Sequence, residues 1–411
     1  MIFHREEFWV GREQFVKDLV AGVTVGIVAL PLAIGFGITS GMSAQAGIAT
    51  AILAGFIAAL FGGSRYQVSG PTGAMTVVLI PVIAKNGIEA IPVLGLMAGV
   101  IVIAMSLLRL GGIINRIPWA VVEGFTLGIA VVIALQQLPM ALGVVKGEGD
   151  RTLQVAINTF KGAIDNGVHT STIAILVLTL FIKFNIVKII ERLKLKPYVP
   201  ASFSALAITT LIVAIFNLDV AKIGEIPRNV FIWKGSGLHY SSSLITPAIL
   251  IALLAAIESL LAARVADGMT HEKNKFHPNK ELFGQGLATM MASIFGGQPA
   301  TGAIARTSVN IRSGGKTKVA ALIHALFLLL VVLLLSPVFA LIPLPAIAGV
   351  LIGTSVRILN PKSVREQLTS TWQEVSTYVV TALVTISVDL IWAIFVGIAL
   401  HFILLLTRKK S

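Results

Sequence analysis

The chain has 411 residues, 56% of them hydrophobic and 12% charged, with no cysteine and a formal net charge of +13. A soluble protein of this length would carry roughly a quarter charged residues. Here no Asp, Glu, Lys or Arg lies between Asp18 and Arg65, or between Lys318 and Arg357. Each gap has room for two membrane spans of about 20 residues, which excludes a soluble protein and implies an all-α polytopic membrane protein. The missing cysteine excludes disulfides and thiolate metal sites.

In chain order, residues 1–18 (MIFHREEFWVGREQFVKD) are too charged for a cleavable signal peptide. They read as a cytoplasmic N-terminal segment. Apolar segments follow near 19–40, 44–62, 70–84, 91–108, 119–142, 168–187, 198–217, 246–263, 282–296, 300–311, 319–342, 344–356, 375–388 and 390–407, and a tail at 408–411. Fourteen segments put both termini on one side. The loops then alternate in charge: with Arg306 set aside, 24 Lys and Arg fall on one side and 7 on the other. The basic side includes Arg65, Arg109, Arg116, KIIERLKLK (188–196), the 264–281 loop with Lys273, RSGGKTK (312–318) and the tail; the other includes Lys85, Lys146 and Arg228. Cytoplasmic loops collect Lys and Arg, so both termini are expected in the cytoplasm, and the basic excess is topological, with no nucleic-acid partner. Trp9, Trp119, Trp233, Trp372 and Trp392 fall near span ends, as an interfacial belt would.

Two stretches echo one another. AALFGGSRYQVSGPTGAM (58–75) and ASIFGGQPATGAIAR (292–306) both hold FGG, a short polar run, then TGA. Each sits at the third span of a seven-span half. Halves with an odd number of spans enter the membrane in opposite directions, so the chain reads as a 7+7 inverted repeat. The third and tenth segments are also short and open with Gly, Pro and Thr at membrane depth. Irregular backbone there is tolerated only where it lines a cavity or is buried in protein. Pro71 and Pro299 are expected in the first helical turn, where a missing N–H costs nothing. Two half-helices of opposite direction would aim unpaired N–H donors, and about +0.5 of an elementary charge each, at one point near the midplane. That suits an anion.

Three charged residues stand out. Arg306 lies five residues after Thr301, and reads either as attracting an anion or as snorkelling to the surface. Glu258 follows 23 uncharged positions; a carboxylate there is a candidate for coupling to H⁺ or Na⁺, or for a pair with Arg306 or Arg264. Glu123, near the start of the fifth span, reads as an interfacial or helix N-terminal charge, and Asp389 as an outer-loop residue. The histidines of THEKNKFHPNKE (270–281) read as solvated; no metal-ligand spacing or phosphate-binding GxxxxGK[ST] occurs. No cofactor and no catalytic constellation is expected, so the chain is not read as an enzyme.

Residues 265–330, together with VGIVALPLAIGFGITSG (25–41), FGGSRYQVSGPTGAMTVV (61–78) and IPWAVVEGFTLGIAVVIALQQL (117–138), resemble the sulfate permease (SulP) anion-transporter family over essentially the whole chain. The resemblance implies a core of helices one to four and eight to eleven, and a gate of the remaining six. The chain then divides into first-repeat core helices one to four with gate helix five (19–142), gate helices six and seven (143–217), core helices eight to eleven (246–342) and gate helices twelve to fourteen (343–407). It further implies elevator-like movement of the core against the gate. The anion would lie between the starts of the third and tenth helices, amid Ser69, Gly70, Pro71, Thr72, Ala300, Thr301, Gly302 and Ala303. Arg306 would face it, and Glu258 would couple a cation. Two departures stand: Leu32 follows Pro31 where the family commonly has glutamine, and LLLTRKKS ends the sequence where members usually continue into a STAS domain. Whether such a domain belongs to the protein stays open.

The expected function is thus secondary transport of a small anion (sulfate, bicarbonate or a dicarboxylate) coupled to H⁺ or Na⁺, across a bacterial inner membrane. An uncoupled exchanger or anion channel on the same scaffold is the alternative, and a nucleobase–cation symporter a more distant one. The expected partners are the anion and the lipid bilayer; a homodimer is left open.

Overall fold

The computed structural model describes residues 7–8, 11–114, 117–149, 151–192, 200–225, 229–236, 238, 240–270, 275–359, 361–388 and 390–408. Trp9, Arg116, the 193–196 end of the basic loop, Arg228, His271, Lys273, Asp389 and the 409–411 end of the tail lie outside the described residues. Among the described residues the chain is helical apart from one short strand pair. Eight helical stretches (12–39, 44–61, 88–107, 119–142, 170–192, 242–270, 318–340 and 344–368) are long and apolar enough to cross a membrane. Shorter apolar helices cover 73–86, 201–215 and 392–406. Helix is what such composition dictates, because lipid offers no partner to a backbone N–H or C=O.

The chain divides into two compact units. The first is Met1–Asn115, Pro197–Phe203 and Ile223–Leu341; the second is Arg116–Lys196, Ser204–Lys222 and Ile342–Ser411.

The first unit holds α1 (Arg12–Thr39), α2 (Ala44–Phe61), β1 (Ser69–Gly70), α3 (Gly73–Asn86), α4 (Ile91–Leu107), α5 (Gly111–Ile114), α11 (Ile245–Thr270), α12 (Pro278–Ile294), β2 (Thr301–Gly302), α13 (Ile304–Arg312) and α14 (Lys318–Ala340). Helix α4 packs on α12 and α11, α14 packs on α2 and α1, and α2 packs on α12. Helix α13 packs on α1, and α3 on α11. Exchanging α1–α4 for α11–α14 returns the same pairs, as an internal repeat would. Small residues let these backbones close up: α2 reads AQAGIATAILAGFIAALF, with seven alanines and two glycines.

The second unit holds α6 (Trp119–Gln136), α7 (Leu138–Leu142), α8 (Thr152–Asn166), α9 (Thr170–Arg192), most of α10 (Ala201–Ile215), α15 (Leu344–Ile358), α16 (Pro361–Leu368), α17 (Trp372–Ser387) and α18 (Leu390–Arg408). Helix α6 packs on α17 and α15 on α9. Thr371 and Glu374 form a capping box that starts α17. The Lys183 ammonium, 1% exposed within α9, donates to the Val350 carbonyl (2.6 Å) and to the Thr354 hydroxyl (2.7 Å) on α15.

Three boundaries differ from the sequence expectation. Helix α1 begins at Arg12, so Asp18, in the segment read as preceding the first span, is a buried helix residue. Helix α8 fills a stretch read as a loop; Gln154, Asn158, Lys161 and Asp165 interrupt its apolar residues, so it is amphipathic and carries no uninterrupted apolar run. The third correction concerns the prolines. Pro71 immediately precedes Thr72, the cap of α3, and Pro299 lies five residues before α13. Neither occupies a first turn: Pro71 directly follows the paired Gly70, and Pro299 precedes Ala300, which Thr289 holds just before the pair begins at Thr301.

Candidate functional site

The two TGA stretches meet. β1 and β2 pair antiparallel, Ser69 opposite Gly302 and Gly70 opposite Thr301. Each member of the Gly70–Thr301 pair lies three residues before a helix start. The antiparallel pairing sends α3 and α13 away in opposite directions, and both N-termini face back to the crossing. The backbone that would be orphaned at this depth is satisfied by the other repeat's strand.

Both strand glycines leave room for the end of a neighbouring side chain. A β-carbon on Gly70 would collide with the Arg306 guanidinium, and one on Gly302 with the Gln67 amide. The glycines of SGPTGA and PATGA therefore admit side chains from elsewhere to the backbone.

The helix starts differ. Thr72 caps α3, its hydroxyl oxygen accepting from the Met75 N–H at 3.5 Å. The same hydroxyl donates to the Glu258 carboxylate at 3.1 Å, and Glu258, on α11, is only partly buried. Helix α13 is capped by Ala303, which has no side chain to offer, so its first N–H groups have no side-chain cap. Ala305, in that first turn, is exposed. The open donors of α13, the Thr72 hydroxyl and the Glu258 carboxylate thus belong to one neighbourhood. Next to Glu258, the Ser259 hydroxyl accepts from the Gly302 N–H (3.0 Å) and lies 3.1 Å from the Thr301 hydroxyl.

Arg306 does not snorkel. It is 1% exposed, and its guanidinium donates to the carbonyls of Ser69 (3.4 Å) and Pro71. It reaches across from the second repeat to hold the first crossing segment, and it forms no direct pair with Glu258. Its charge stays beside the crossing. Glu123, five residues into α6, accepts from the Ser363 hydroxyl at 2.7 Å.

Several residues here were not found by sequence reasoning. Glu281, placed by the sequence reading in a solvated loop, is 1% exposed on α12. One carboxylate oxygen accepts from the Gly63 and Ser64 N–H groups (2.8 and 2.9 Å), the other from the Gln67 and Gln285 amides (2.7 and 3.0 Å). Gln285 also donates to the Ser69 hydroxyl oxygen at 2.5 Å. The second repeat has a neutral counterpart: the Gln298 N–H, which also follows an FGG triplet, donates to the Thr50 hydroxyl on α2 at 2.7 Å. Thr289 on α12 braces Ala300. A signal was present. Glu281, Gln285 and Thr289 recur every four residues, a polar stripe on one helix face. Lys318, assigned to a basic loop, is also buried; it donates to the Gly62 carbonyl (2.7 Å) and pairs with Glu7 (2.8 Å). Among the described residues no group of three or more His, Cys, Asp or Glu could hold a metal ion.

Comparison with known proteins agrees with this architecture. The model of the sulfate permease family matches residues 15–402. The chain is 37% identical over 406 residues to "Putative sulfate transporter YvdB" of Bacillus subtilis (strain 168), covering 97% of this chain and 75% of that protein. It is 34% identical over 411 residues to "Bicarbonate transporter BicA" of Synechocystis sp. (strain ATCC 27184 / PCC 6803 / Kazusa), covering 96% of this chain and 70% of the other. The solved transmembrane domain of a cyanobacterial bicarbonate transporter BicA superposes with a TM-score of 0.81 at 31% identity, over 94% of this chain and 98% of that one. SLC26A9 superposes with a TM-score of 0.85 at 15% identity, a likeness of fold alone.

Proposed function

Because the chain belongs to the sulfate permease family, a family of transporters and not of enzymes, we propose that it is a secondary active transporter of a small anion. Sulfate, bicarbonate and a dicarboxylate are the substrates considered, with H⁺ or Na⁺ as the coupling ion. The protein is an integral membrane protein, for which a bacterial inner membrane with both termini in the cytoplasm is the proposed setting. We assign the first compact unit to the core and the second to the gate of a 7+7 inverted repeat, and the core to the moving part of an elevator cycle.

The observation that carries this reading is the bond between Thr72, the cap of α3, and Glu258. In this reading the anion binds around Ser69–Thr72 and Ala300–Ala303. The uncapped N–H groups of α13 and the Thr72 hydroxyl supply donors, and Arg306 supplies positive charge from behind the crossing segment. An ionised Glu258 beside these donors opposes a second negative charge. A proton or Na⁺ at Glu258 removes that opposition, so anion and cation bind more tightly together than apart, which is the condition for symport.

Proteoliposomes made with the full chain test it. Uptake of labelled sulfate, bicarbonate or fumarate should be driven by an imposed pH or Na⁺ gradient. No uptake of any of them, or uptake indifferent to both gradients, would overturn coupled transport.

A further inference from the structure

Glu281 is a fully partnered carboxylate of the first unit. Its two oxygens receive four N–H groups: Gly63, Ser64, Gln67 and Gln285. Four donors match the acceptor capacity of a carboxylate, which has about four lone-pair sites. The arrangement also fixes which way two amides point. Gln67 and Gln285 each turn the NH₂ toward Glu281. The second hydrogen of the Gln285 NH₂ then meets the Ser69 hydroxyl oxygen at 2.5 Å. Ser69 is therefore an acceptor toward α12, and its own proton is left free to be donated elsewhere.

The carbonyl of the same residue is held by Arg306. Ser69 is thus gripped at two points, by a carboxylate through Gln285 and by a guanidinium directly, both from helices more than 200 residues away in sequence. Oxygen Oε2 of Glu281 meanwhile ties down the turn that leads into the segment. The matching turn of the second repeat is held by neutral groups: the Gln298 N–H donates to the Thr50 hydroxyl, and the Ser40 hydroxyl donates to the Gln298 side-chain carbonyl. Hydrogen bonds to a charged group are roughly twice as strong as neutral ones, and it is the first crossing segment that has charged partners.

We propose that Glu281 is a positioning residue for the anion site: acting through Gln285, it fixes the orientation of Ser69 and the register of the segment that starts α3. This rests on the reading of that segment as the anion site. Neither residue touches the anion. Gln285→Ala removes the link to Ser69 and leaves the carboxylate with its bonds to Gly63, Ser64 and Gln67, so it is the cleaner variant; Glu281→Gln places an NH₂ against N–H donors and serves as the stronger perturbation.

The experiment pairs two measurements on the full chain. One is KM and maximal rate for labelled sulfate and bicarbonate in proteoliposomes. The other is hydrogen exchange of segments 63–72 and 296–303 in the purified protein. Gln285→Ala should raise KM about tenfold with the maximal rate retained, and should speed exchange in 63–72 while 296–303 is unchanged. Combined with Ser69→Ala, it should add little, because both remove one interaction. Asp18→Asn, which weakens another buried carboxylate clamp at Lys316 and Thr317, should lower stability without raising KM. Unchanged KM and exchange in Gln285→Ala would overturn the proposal. So would faster exchange throughout the molecule, the mark of a merely structural residue. If the wild type takes up neither anion while 63–72 alone responds to Gln285→Ala, the positioning stands and the assignment of the site as an anion-transport site fails.

Discussion

Arg306 separates two ways in which a buried cation can serve an anion site. Its guanidinium holds two carbonyls, those of Ser69 and Pro71, and its charge lies beside the crossing. Arg306→Ala removes both contributions. Leaving two buried carbonyls unpaired costs roughly 1–3 kcal/mol each. A unit charge on the order of 10 Å from the anion, at an effective dielectric of about 20, is worth ~1.7 kcal/mol, or roughly a fifteenfold change in affinity. Arg306→Lys divides the two. The ammonium keeps the charge but is a point donor and cannot span both carbonyls, so at least one stays unpaired. Thermal unfolding of purified protein, with and without sulfate or bicarbonate, reads both quantities. Ala should lower the unfolding temperature without ligand and abolish most of the shift caused by the anion. Lys should lower the unfolding temperature by a similar amount yet preserve the shift. If Ala leaves the temperature without ligand unchanged, the carbonyl bonds contribute nothing. If both variants lose the anion shift equally, geometry rather than charge is what Arg306 supplies.

Glu258→Gln keeps an acceptor for Thr72 and cannot ionise; uptake should become indifferent to the imposed pH or Na⁺ gradient while exchange of anion for anion persists, and gradient-driven uptake in this variant would refute the coupling role. Gly70→Ala puts a methyl group against the Arg306 guanidinium; by displacing it, the variant should lower stability by no more than Arg306→Ala does in the same unfolding assay, and a neutral effect would contradict the close approach. Glu7 supplies a pH test outside the membrane. Burial raises its pKa, but the Lys318 and Lys280 ammonium groups at 2.8 and 3.0 Å outweigh this and hold it below the ordinary 4.5. A depressed carboxylate stabilises the fold above its unfolded pKa, and that contribution is lost as pH falls through the folded value. Glu7→Gln should therefore unfold at a lower temperature than wild type at pH 7, with the difference shrinking below about pH 4.5; a difference constant down to pH 3 would show that no ion pair is involved.

The spans were legible because their signal is composition: uncharged runs of the right length, with short apolar connections. The third and tenth segments were legible for a different reason. Gly, Pro and Thr at membrane depth contradict a continuous helix, and the contradiction recurs at matching places in two halves. What that pattern could not reveal is how the irregular backbone is satisfied. Proline beside threonine suits a first turn and an extended lead-in equally well, and only pairing between residues more than 230 positions apart, Ser69 with Gly302 and Gly70 with Thr301, decides for the strand. Sequence carries no local trace of such a partner.

The same reasoning explains why buried charges were misplaced. Glu281 and Lys318 lie at the ends of charged loops, next to residues that are solvated, and a sequence pattern assigns them to the loop. Each is instead drawn inward by an FGG turn whose backbone needs partners: Glu281 takes the N–H groups of Gly63 and Ser64, and Lys318 takes the carbonyl of Gly62. A turn that reverses the chain at the end of α2, before an extended segment, cannot pair these groups with itself. The glycines that make the turn possible thus create the demand for a nearby acceptor and a nearby donor, and the second repeat provides both. The second FGG turn is met from the first repeat by neutral groups, the Thr50 hydroxyl at the Gln298 N–H and the Ser40 hydroxyl at the Gln298 side chain. The asymmetry follows the chemistry of the two segments: the one entered through a carboxylate clamp is also the one that Arg306 grips, so two opposite charges anchor the first crossing segment while neutral groups brace the second.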